Sequence, residues 1–288
     1  MPEEQAGNSA RRRAPFGARL RAAMDARGPL CVGIDPHPGL MAAWGLNDDA
    51  AGLEHFSLTV LEAVGEQVAA LKPQVALFER HGSAGIAVLE KLLAACSESD
   101  VLTIADAKRG DIGSTMAAYA DAWLREGSPL AADSVTLSPY LGYESLRPAL
   151  DLAAATGRGV FVLGLTSNPE GASVQHVGGD RSVAARIVDA VAAENAGELP
   201  LGSTGLVVGA TVGTALADLG IDLEAANAPI LAPGLGAQGA TGRDLQSTFG
   251  GAYRNVLATS SREILQAGPD KASLQAAAER TLEGLPRA

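Results

Sequence analysis

Eight near-continuous apolar runs recur along the chain, and no other feature constrains its fold so tightly. They are Leu30 to Asp35, Ala69 to Pro73, Val101 to Lys108, Ser134 to Pro139, Gly159 to Ser167, Gly205 to Thr211, Pro229 to Gly234 and Asn255 to Ser261. Apolar runs that do not alternate with polar residues are expected of parallel strands buried on both faces. The runs begin about 25 to 45 residues apart, enough for the strand, helix and two loops of a parallel crossover. Leu53 to Ala70 and Ile86 to Cys96 carry apolar residues at helical spacing with charges between them. Phe16, Leu20 and Met24 mark a further amphipathic helix, Phe16 to Arg27, ahead of the first run.

Eight such units predict a (β/α)8 barrel, an α/β fold that accommodates 288 residues in one domain. The competing arrangement is an open, doubly wound sheet. Its dinucleotide-binding form places GxGxxG after the first strand, whereas this first strand ends Gly33-Ile34-Asp35-Pro36-His37-Pro38. Residues 1–14 are expected to be a loose tail, because no apolar signal-peptide core follows Arg11-Arg12-Arg13. Residues 15–288 are then the barrel with its leading helix.

The net charge of −11 argues against a nucleic-acid partner, since phosphate backbones are held by basic stripes. No apolar run reaches the roughly 18 residues a membrane span requires, so no membrane partner is expected and a cytoplasmic location is. Cys31 and Cys96 sit in apolar surroundings and read as buried hydrophobes. His37, His55, His81 and His176 show no paired metal-ligand spacing, and no metal site is expected. His37, at a strand end beside Asp35, reads as a loop or capping histidine.

In a (β/α)8 barrel the active site lies at the carboxyl ends of the strands, with phosphate commonly held after the seventh and eighth. Collected on that rule, the strand ends supply Asp35, Lys72, Asp106 with Lys108, Ser138, Ser167, Thr211, the Gly-rich segment Pro233 to Gly239, and Ser261-Arg262. The third is the most unusual. Asp106 and Lys108 stand two apart at the end of an apolar strand and so project to one side of it. Asp111 follows three residues later, between Gly110 and Gly113. By itself the pair is either an ion pair at a strand end or part of a site. The scarcity of lysine bears on the choice: of 22 basic residues only Lys72, Lys91, Lys108 and Lys271 are lysines. Lysine differs from arginine in being able to release a proton and in acting as a compact charge, which points to proton transfer at Lys72 and Lys108.

The pattern Asp106-x-Lys108-x-x-Asp111-Ile112-x-x-Thr115 resembles the signature of the orotidine 5′-phosphate decarboxylase family. Asp35 and Lys72 resemble the family's polar residues at the first two strand ends. Thr166-Ser167-Asn168-Pro169 is similar to its pyrimidine-contacting segment, and Pro233 to Gly239 with Arg262 to its phosphate loops. Ala107 and Gly113, where many members carry bulkier residues or proline, and Ser261, where glycine is common, resemble the longer bacterial branch.

The resemblance implies decarboxylation of orotidine 5′-monophosphate to UMP, the last step of de novo UMP synthesis, with no metal and no cofactor. It implies that Lys108 donates a proton to C6 and that Asp106 lies near the departing carboxylate, with Lys72 and Asp111 completing an alternating array. Asp35 and Lys72 would bind the ribose hydroxyls, Ser167 the pyrimidine, and Gln238 and Arg262 the phosphate, with Pro233 and Ser261 in the phosphate loops. Asp111, Ile112 and Thr115 would reach into a partner subunit's site, making a homodimer. A related Mg2+-dependent enzyme, 3-keto-gulonate-phosphate decarboxylase, is similar at the Asp-x-Lys-x-x-Asp strand but has a glutamate metal ligand at the end of the second strand, where this chain has Lys72. A non-catalytic barrel with an ion-pair network is the alternative from another class.

Overall fold

A computed structural model describes residues 13–236 and 239–287. Its eight parallel strands are β1 (Leu30–Ile34), β2 (Ala70–Pro73), β3 (Leu102–Arg109), β4 (Ser134–Leu137), β5 (Gly159–Leu165), β6 (Thr204–Val208), β7 (Ile230–Pro233) and β8 (Val256–Ser260). Each pairs with the next in sequence and β8 pairs with β1, closing the barrel. Among the described residues no helix is long and apolar enough to cross a membrane.

The strands are shorter than the apolar runs, mostly at their carboxyl ends. Asp35, Ser138, Ser167 and Thr211 lie beyond the last ladder residues, in the loops that form the upper rim. The helical spacing read over Leu53 to Ala70 also needs correcting. The helix covers Ala50–Val64, and Ala70 belongs to β2, paired with Cys31 and Leu102. Val68, Ala69 and Ala70 are apolar in succession and fit either period, so strand pairing decides. Residues 168–180, the long stretch that follows β5, contain short helical segments at Pro169–Gly171 and Ala172–Gln175, with a third at Gly179–Arg181.

The two ends of the barrel differ chemically. At the amino-terminal end the helix Phe16–Arg27 turns Phe16, Leu20 and Met24 into an interior cluster with Cys31, Ile104, Phe161, Leu231 and Leu257. Phe16 meets Phe161 edge to face, centroids 5.9 Å apart. Gly159 and Gly205 make room for these rings, because a Cβ at either position would lie within about 2.5 Å of ring carbons. Burying each phenylalanine contributes about 1.5–3 kcal/mol. Of the expected tail, Arg13 and Ala14 are described, and Arg13 pairs with Glu126 and Asp133. The opposite end carries Lys72, Asp106 and Thr136, buried but polar, and there the barrel interior itself presents charge.

Candidate active site

Lys72 ends β2 and Asp106 lies near the end of the neighbouring β3. Their side chains meet beneath the upper rim, with Lys72 Nζ 2.9 Å from Asp106 Oδ2. Lys108 Nζ lies 2.7 Å from Asp106 Oδ1, so one carboxylate joins two ammonium groups. Thr136 Oγ1 donates to the same Oδ1 at 3.0 Å, and Gln74 Nε2 donates to Oδ2 at 3.1 Å. An ionised carboxylate offers about four acceptor sites, and Asp106 has all of them filled by protein. It is therefore held rigidly and has no lone pair left to accept a hydrogen bond from a ligand.

Burial acts against the charges of Asp106 and Lys72, and the neighbouring charges outweigh it. Burial would raise the Asp106 carboxyl, but Lys72 and Lys108 hold it well below the usual carboxylate range. Burial would likewise lower the Lys72 ammonium, but Asp106 and Asp35 hold it above an ordinary lysine. Both groups stay ionised at neutral pH. Lys72 is almost fully buried, whereas the Lys108 side chain is 47% exposed and reaches into open space.

That space is a cavity of about 270 Å3, lined by Asp35, Lys72, Asp106, Lys108, Pro233, Ser261 and Arg262 among others. Seven of the residues expected from sequence are thus brought together. His37 lines it too and makes no side-chain cap bond to the helix Pro38–Ala43 that it precedes. Val207 and Leu231 supply apolar wall. Asp35 Oδ1, Thr259 Oγ1 and Ser261 Oγ are buried at the ends of β1 and β8 without a hydrogen-bond partner among the described residues. Polar atoms in that state are unusual unless something else binds them, and all three belong to lining residues.

Other expected residues stand elsewhere. Ser167 is exposed just beyond β5, its backbone N, Cβ and Oγ all beside Gly209, and does not line the cavity. Asp111, Ile112 and Thr115 also lie outside the lining. Ile112 is 61% exposed, and Tyr140 and Leu141 on the neighbouring loop are also exposed apolar side chains. The two loops touch at Gly110, where a Cβ would lie 2.3 Å from the Ser138 carbonyl oxygen. Gln238 lies outside the described residues. Sequence reasoning missed Gln74, Thr136 and Thr259. Gln74 follows Lys72 by two positions and could have been found by the same-face rule, whereas a threonine within an apolar strand gives no signal. Among the described residues no group of three or more His, Cys, Asp or Glu is placed to hold a metal ion.

Residues 28–277 match the model of the orotidine 5′-phosphate decarboxylase / HUMPS family. The orotidine 5′-phosphate decarboxylase of Streptomyces coelicolor is 60% identical over 269 residues, covering 92% of this chain and 95% of that protein. The protein of the same name from Salinispora arenicola is 59% identical, covering 93% and 95%. Among solved structures, one from Streptomyces avermitilis, described as a candidate orotidine 5′-phosphate decarboxylase, superposes with a TM-score of 0.91 at 60% identity, covering 95% of each chain. The OMP decarboxylase of Leishmania donovani superposes with a TM-score of 0.73 at 31% identity, covering 93% of this chain and 96% of that one.

Proposed function

The chain belongs to the orotidine 5′-phosphate decarboxylase / HUMPS family, and from that premise we propose that the array centred on Asp106 converts orotidine 5′-monophosphate to UMP and CO2. This is the last step of de novo UMP biosynthesis, and the chain is a carboxy-lyase. One observation carries the site assignment: two ammonium groups that both line the cavity share a single saturated carboxylate, and of the two only Lys108 is substantially exposed.

In the proposed reaction the bond between C6 and the carboxylate carbon breaks, CO2 departs, and the electron pair remains on C6. The pyrimidine ring cannot delocalise that pair, so a fixed cation must stand where the charge develops. Lys108 supplies the cation and then a proton from Nζ, and its amine recovers a proton from solvent. Asp106 accepts no hydrogen bond from the substrate, and its charge faces the departing carboxylate. Asp35 and Lys72 bind the ribose hydroxyls, in keeping with the unpartnered Asp35 Oδ1. Arg262, with Pro233, Ser261 and Gln238, holds the phosphate, whose binding energy aligns the ring far from C6. Ser167 contacts the pyrimidine once its loop moves inward.

Asp111, Ile112 and Thr115 complete the site of a second copy in a homodimer. The exposed Ile112, Tyr140 and Leu141 on adjoining loops give such a copy an apolar face to cover. The free thiols of Cys31 and Cys96 suit a reducing cytoplasm. The chemistry is assigned to side chains alone, with no metal and no cofactor. It is tested by following the loss of ultraviolet absorbance of orotidine 5′-monophosphate with and without EDTA. Turnover that EDTA leaves unchanged is expected; turnover abolished by EDTA and restored by Mg2+ would overturn the metal-free assignment.

A further inference from the structure

Between β3 and β4 the pairing slips. Ala105 stands opposite Val135 and Arg109 opposite Leu137, so Asp106, Ala107 and Lys108 share a single opposing residue, Thr136. A bulge of this kind re-aims side chains and breaks the ladder locally. Here both Asp106 and Lys108 reach toward the cavity, and Lys108 takes a left-handed backbone conformation with φ +46°. A non-glycine residue held there is strained and persists only where its surroundings enforce it.

Thr136 is what meets the broken ladder. It is completely buried, and its hydroxyl accepts the Lys108 backbone N–H at 2.9 Å while donating to Asp106 Oδ1 at 3.0 Å. The direction of the chain is fixed, because an ionised carboxylate only accepts and an amide N–H only donates. One hydroxyl thus ties the backbone of Lys108 to the carboxylate that holds its ammonium.

We propose that Thr136 is a positioning residue of the decarboxylase site, whose hydroxyl holds Lys108 in the backbone conformation from which its ammonium reaches C6. The proposal rests on the decarboxylase assignment above. It requires the hydroxyl rather than the side chain's bulk, and it concerns the reacting geometry rather than substrate capture. Thr136 does not itself line the cavity; it meets the lining at Asp106 and Lys108, and none of its side-chain hydrogen bonds goes to Asp35, Lys72, Pro233, Ser261 or Arg262.

The test compares wild type, Thr136→Val and Thr136→Ser for kcat, KM and UMP affinity, with thermal melts to establish folding. Valine keeps the shape and removes the hydroxyl; serine keeps the hydroxyl. A misplacement of about 1 Å costs about 10²-fold in rate, so kcat of Thr136→Val is expected to fall by about 10- to 100-fold. KM and UMP affinity are expected to stay near wild type, and Thr136→Ser to recover most of kcat. A wild-type kcat in folded Thr136→Val overturns the proposal, as does a loss confined to KM or one that serine does not restore. Should the valine variant not fold, Thr136→Cys against Thr136→Ser makes the same comparison at nearly equal shape, and equal kcat values overturn it. Absence of turnover in the wild type would instead overturn the decarboxylase assignment.

Discussion

Asp106 joins Lys72 to Lys108, and the two ammonium groups around it have a consequence for stability. Its carboxyl is depressed in the folded state, so the stability it contributes is fully present above the unfolded carboxylate pKa near 4. That contribution is lost as pH falls further. Lys72 is raised, so its contribution is fully present below the unfolded lysine pKa near 10.4 and is lost as pH rises through its higher folded value. Thermal melting temperature plotted against pH is therefore expected to fall at both extremes, with Asp106→Asn weakening both limbs. Unchanged limbs in a folded Asp106→Asn would show that other groups set them. At this scale the charged residues were legible, because Lys72, Asp106 and Lys108 are anomalous at the ends of apolar strands. Thr136 was not, since β-branched residues are ordinary in strands and only the pairing register shows what its hydroxyl meets.

Among the elements, β3 and the loop after it divide the work. The strand delivers Asp106 and Lys108 inward, while the following Asp111, Ile112 and Thr115 stay outside the cavity of their own chain. If they serve a partner's site, a mixture of Lys108→Ala and Asp111→Ala chains assembles dimers with one complete site. Each variant alone is expected to be inactive, and unfolding and refolding them together to recover about a quarter of wild-type activity, as random pairing leaves half the dimers mixed with one working site of two. No recovery from folded, mixed dimers would place Asp111 in its own subunit's site. Strand positions were readable from apolar runs to within a few residues. Their ends were not, because a run such as Gly159 to Ser167 stays apolar or small after Leu165, where the ladder stops. The insertion after β5 offered no periodicity from which its short helical segments could be foreseen.

For the molecule as a whole, the barrel separates stability from chemistry along its axis. Phe16 and Phe161 fill the amino-terminal end, and the carboxyl end holds the buried polar groups Lys72, Asp106 and Thr136. This polarity was legible in outline, from the leading helix with Phe16, Leu20 and Met24 on one stripe and from the charges at strand ends. What sequence could not give was the complementary removal of side chains at Gly159 and Gly205, which matters only once the rings are seen in place. The same axial arrangement leaves Lys108 as the more exposed ammonium of the array, and in the proposed reaction this one group supplies both the charge and the proton. The most direct test is turnover of orotidine 5′-monophosphate by Lys108→Ala, measured beside its affinity for UMP. Turnover is expected to fall by more than about 10⁴-fold, because stabilisation and protonation are lost together, with UMP binding largely retained. Near-wild-type turnover in that variant would show that Lys108 supplies neither.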